Sequence, residues 1–182
     1  MARNTVSRAM HDVGLAAWFG GTLANAVALN SAASAAGDSR SSGRVANTGW
    51  DRWTPVNAAA IGAHLVGSVA QLGANRGRLK GQQGVAAMSV AKTVLTAAAL
   101  GATAYSRVLG KTVSAHHDVP AESGTEPTAF TPPHVAAAQS RLAMLQWVVP
   151  ALTGALVIVT SYAGEQQKAT EVHKGIASRL LG

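Results

Sequence analysis

Polar side chains recur at intervals of seven inside otherwise apolar stretches of this sequence. His11, Trp18 and Asn25 form one series, Asn57, His64 and Gln71 a second, and Gln146, Thr153 and Thr160 a third. Seven residues are close to two helical turns, so each series runs along one helix face. Such a face can do two kinds of chemistry. Its amides, hydroxyls and imidazoles can hydrogen-bond between helices, at roughly 0.6 kcal/mol per contact in a bilayer. Alternatively they can hold a small molecule, an ion or a proton, for which imidazole is suited near neutral pH. Counted from the ends of the apolar stretches, Asn25, His64, Thr96 and Thr153 lie at similar depth. We therefore expect a polar layer drawn from Asn25, Asn57, His64, Gln71, Thr96 and Thr153. Its first role is helix-to-helix glue, its second a ligand, ion or proton site.

Charge is the next chemistry to place. Lys92 stands inside an apolar stretch, where it either snorkels toward headgroups or pairs with Asp12. A separate group, His116, His117, Asp118 and His134, with Glu122 and Glu126 between, offers imidazole and carboxylate that suit copper, nickel or zinc. Its spacing matches no tight metal motif, and its Pro, Ser and Gly content reads as a flexible loop. No cofactor is expected beyond a metal ion at this loop. A b-type haem needs facing axial ligands, and His64 stands alone at mid-depth with His11 at one edge. There is no cysteine, so disulfides, thiolate sites and cysteine catalysis are excluded. No Walker loop, dinucleotide fingerprint, HExxH or serine elbow occurs, and no enzymatic activity is expected.

The elements that must carry these groups are legible in the charge pattern. Only 13% of residues are charged, against roughly 25% in soluble domains. Residues 13–37, 53–75 and 142–164 are free of charge, and 81–106 carry only Lys92. A bilayer core of about 30 Å needs roughly 20 helical residues. The pattern predicts an all-α, transmembrane four-helix bundle with spans near 12–36, 54–75, 83–108 and 134–164. Thr54-Pro55 reads as a helix start with proline in the first turn, and Thr131-Pro132-Pro133 repeats it. Pro150 should kink the fourth span. Residues 1–164 form the membrane domain. Residues 165–182, with Val172, Ile176 and Leu180 on one face, form a cytoplasmic amphipathic tail.

Net charge is +7, but the basic residues lie in short groups between apolar runs, which argues against nucleic acid. Arg3, Arg8, Arg76, Arg78, Lys80, Lys168, Lys174 and Arg179 would share one side. Arg40, Arg44, Arg52, Arg107, Lys111 and Arg141, diluted by acids, would share the other. The positive-inside rule then places both termini in the cytoplasm of a bacterial inner membrane. Trp50, Trp53, Tyr105 and Trp147 would fall near the outer interface. Arg3, Arg8 and the Ala33–Ala35 triplet resemble a secretion signal. The uncharged run is too long for one, and residues 1–35 are expected to be retained.

The first helix, "HDVGLAAWFGG", resembles that of copper-resistance-D-like families and of four-span integral membrane proteins of high-GC bacteria with no assigned activity. The former likeness implies copper handling, although Met10, Met88 and Met144 do not cluster by spacing. Small size, Ala/Gly-rich faces and a basic tail suggest an accessory or scaffold subunit. Its partners would be lipid, larger membrane proteins or a second copy. The alternative is a carrier or sensor of a small ligand, ion or metal.

Overall fold

The computed structural model describes residues 4–81, 84–116 and 120–165, which are helical apart from their connections. Helix α1 spans Thr5–Ser34, α2 Ser39–Gly81, α3 Val85–Ser114 and α4 Pro133–Glu165. Helices α1, α3 and α4 are long and apolar enough to cross a membrane. The architecture is an all-helical one compatible with a membrane protein. Of the proposed tail, residues 165–182, Glu165 ends α4 and 166–182 lie outside the described residues, as do His117 and Asp118.

Two hairpins make up the bundle. Helices α1 and α2 pack along their lengths, as do α3 and α4, and α1 lies against α4. Helices α2 and α3 scarcely touch. Trp18, fully buried, packs with Ala99 and Val149 where the hairpins meet. A second cluster, Leu109, Val113, Val135, Ala138 and Leu145, closes the far end of the α3–α4 hairpin.

The second helix departs most from expectation. Thr54 and Pro55 do not start it; they lie inside a continuous helix of 43 residues. The start is Asp38, whose Oδ1 accepts from the Arg40 and Ser41 amides, both at 3.0 Å. An acid supplies acceptors to first-turn amides that have no helical partner, so this cap extends the helix backward. Thr54 instead turns its hydroxyl to Trp50 O at 2.9 Å. The stretch 39–53 is therefore helix rather than connection, and Gly37, with φ +91°, makes the turn before it.

Helix α1 begins at Thr5, earlier than the charge pattern suggests, and holds a π-helical segment at Asn25–Leu29. Helix α3 starts after Gly84, at φ +81°. Helix α4 begins as expected at the double proline, but Thr131 is not its cap. The Pro132 carbonyl accepts from Ala136 N at 2.9 Å, while the Thr131 hydroxyl donates to Pro120 O at 2.7 Å. The helix runs unbroken through Pro150.

That hydroxyl belongs to a folded cover. Residues 120–131, expected to be flexible, sit over one end of the bundle with Ala121, Ser123, Thr125 and Thr131 buried. Ala121 N donates to Ser39 O at 3.0 Å, and the Gln139 amide donates to Ser123 O at 3.5 Å. Polar backbone in a short loop is satisfied here by its own hydroxyls and by helix ends, which lets it pack.

Candidate functional site

Helices α1 and α2 approach closely, and two glycines permit it. A Cβ on Gly14 would lie 2.5 Å from Ala60 O and His64 N. A Cβ on Gly67 would lie 2.5 Å from Ser7 O and His11 N. Each glycine follows a histidine by three residues, as His11-x-x-Gly14 and His64-x-x-Gly67. Each rests on the backbone around the other helix's histidine. The two antiparallel tetrapeptides form a reciprocal clasp, and both histidines are trapped within it.

Both imidazoles are fully buried. Their ring centroids are 4.5 Å apart at an interplanar angle of 47°. His11 lies a turn and a half inside α1, because that helix starts at Thr5, and so it meets His64 at the same level. His64, expected to stand alone at its depth, therefore has His11 beside it. His11 Nδ1 donates to Asp12 Oδ1 at 2.7 Å. His64 Nδ1 faces His11 O at 3.3 Å, so it carries the proton. Both tautomers are thereby set, and both Nε2 atoms are left as acceptors. Neither has a hydrogen-bond partner among the described residues. The Trp18 ring stands 6.1 Å from His64 and donates from Nε1 to Thr103 Oγ1 at 3.2 Å.

Asp12 leads outward. Its side chain is 52% exposed and lines a cleft of about 330 Å³ at the end of the bundle that carries Thr5 and Glu165. Arg8, Gln71, Lys92, Thr160 and Ser161 line it too. The cleft thus brings Asp12 and Lys92 to one space. The contact made by the Asp12 carboxylate is with His11.

The remaining members of the expected layer divide. Thr153 is fully buried, but its hydroxyl donates to Val149 O at 2.9 Å within its own helix. Thr96 lines a cavity of about 420 Å³ on the α2–α3 seam that shares Gln71 and Lys92 with the cleft. Gln71 reaches Ser7 O at 3.5 Å. Asn25 and Asn57 are half-buried, and Asn25 Nδ2 and Asn57 Oδ1 are without partners among the described residues. A polar centre that spacing did not reveal is Asn30. Its Nδ2 donates to Gln146 Oε1 at 2.6 Å, and its Oδ1 accepts from Trp50 Nε1 at 3.1 Å. It thus ties α1 to α2 and α4. Thr103 was likewise missed, since only the fold sets it opposite Trp18. The repeated His-x-x-Gly was the signal in the sequence that marked the histidine pair. Of the loop histidines, His116 and His134 come together.

Compared with known families, with characterised proteins and with solved structures, the chain matches none.

Proposed function

We propose that the protein is a four-span membrane protein that binds a proton at its buried histidine pair and responds to it, as a carrier or sensor. One observation carries this reading: two fully buried imidazoles in ring contact, each with a bare Nε2, joined through His11 to a carboxylate on an open cleft. Helix glue works best when every polar atom is satisfied, because a buried unpartnered acceptor costs about 1–3 kcal/mol. A proton taken up at either Nε2 would be shared over the pair and balanced by Asp12. Two would not fit, since adjacent imidazoliums repel. Lys92 lines the same cleft as Asp12.

The fourth span in this reading is α2. Its polar mid-helix residues, Asn57, His64 and Gln71, face inward, while Val56, Val66, Val69 and Leu72 are exposed. Its polarity is therefore internal, and the outer face suits lipid. Both termini would lie in the cytoplasm, so the cleft would open there.

Trp18 supplies the test. A protonated imidazole quenches a nearby indole, so fluorescence of the purified protein should fall on acidification. His64→Gln should remain folded and lose most of that change, because Gln hydrogen-bonds but does not titrate. The same titration in His64→Gln as in the unaltered protein would remove the proposal. A second reading, an accessory subunit, is favoured by Gly62, Gly73 and Gly101. Space around each is open, which permits close approach of another helix. Co-purification of a stoichiometric membrane partner, with the fluorescence titration absent, would select it.

A further inference from the structure

We propose a metal-binding site at the opposite end of the bundle, formed by His116 and His134, for a borderline divalent cation such as zinc, copper or nickel. The two Nε2 atoms are 3.3 Å apart. The ring planes are inclined at 70° with centroids 4.8 Å apart, so the two Nε2 atoms lie closer together than the ring centres do. Two imidazole nitrogens bound at about 2.0–2.1 Å to a tetrahedral centre stand roughly 3.3–3.4 Å from each other. The observed separation is that of a ligand pair before any rearrangement.

The surroundings prepare one ring for this role. His116 Nδ1 donates to Thr112 O at 2.9 Å, which leaves its Nε2 as a lone pair. A backbone carbonyl on the far nitrogen is the usual support of a metal-bound imidazole. Both residues also sit on fixed backbone. His116 closes the last turn of α3, its amide bonded to Val113 O at 3.0 Å. His134 follows Pro132-Pro133 in the first turn of α4. Imidazole nitrogen selects zinc, copper or nickel over magnesium and calcium, which prefer oxygen. Among the described residues no third His, Cys, Asp or Glu completes the group. Water or an external ligand would fill the other positions, and the metal would clip α3 to α4.

The competing arrangement is a plain hydrogen bond, with His134 Nε2 donating to His116 Nε2. Calorimetric titration of the whole protein in detergent with zinc, and Cu(II) electron paramagnetic resonance, separate the two. The proposal expects one ion per chain, two nitrogen couplings on copper, and an affinity lowered about tenfold or more by either His116→Gln or His134→Gln. His134 is exposed, so its variant should fold, and an unchanged melting temperature without metal would verify that. His11→Gln and His64→Gln should bind as the unaltered protein does. Zinc binding no tighter than in the His116→Gln/His134→Gln double variant would overturn the proposal. So would binding that survives His134→Gln but is lost in His117→Gln.

Discussion

At the scale of single residues, Asp38 has the most direct consequence for pH. The Ser41 hydroxyl, donating to Oδ2 at 2.6 Å, holds its carboxyl below the ordinary value, and the Ser41 and Arg40 amides add to this. The folded chain therefore binds this proton more weakly than the unfolded chain does. The cap contributes fully above the ordinary carboxylate range and is lost as pH falls through the lowered folded value. Asp38→Asn should keep the amide contacts yet flatten that part of the acid limb when melting temperature is followed against pH. Equal acid sensitivity in both proteins would mean that the cap does not govern it. The cap also shows what single residues hide in a sequence. Thr54-Pro55 carries the stronger local signature of a helix start, and Asp38 the weaker one. The weaker won because three donors converge on it, while the Thr54 hydroxyl is taken by Trp50 O.

Among elements, the α1–α2 clasp is the contact most sensitive to size. Gly14→Ala and Gly67→Ala would each drive a methyl into backbone atoms 2.5 Å away, and rigid backbone must then separate. Such overpacking costs about 1–3 kcal/mol, against a gain of up to about 1 kcal/mol in helix propensity. Gly62→Ala and Gly73→Ala on the same helix meet nothing within 4 Å and should be neutral or stabilising. Thermal denaturation in detergent measures both pairs, and similar effects at all four positions would rule out the clasp. Part of this packing was legible in the sequence. The seven-residue series placed His11, Trp18 and His64 on inward faces, and the apolar runs placed α4 to within a residue at each end. The pairing of the histidines was not legible in that way. Periodicity gives the face of a helix but not its height against a neighbour, which glycine contacts decide. The Asn30 network was equally hidden, since its partners Trp50 and Gln146 are distant in sequence.

For the whole molecule, the decisive question is which helices cross the bilayer. If all four do, Thr5 and Gly77 share one side, and Glu122 and Ala129 the other. These four positions are exposed, so cysteines there should be reactive. In intact cells an impermeant thiol reagent should label Glu122→Cys and Ala129→Cys but not Thr5→Cys or Gly77→Cys. Were α2 to lie on the outer surface, Gly77→Cys would label and Glu122→Cys would not. The π-helical segment of α1 bears on the same whole-molecule order. A π-turn is an α-helix with one residue too many, and that surplus acts as a phase shifter. In an unbroken α-helix Asn30 would stand roughly 100° around the axis from His11, whereas one surplus residue brings it into line after about five turns. The histidine clasp at one end and the Asn30 network under the loop at the other thus share a single inward face. The length of the stretch between them, more than its composition, keeps the two ends in register. In this stretch substitutions are far easier to accommodate than an insertion or deletion of one codon.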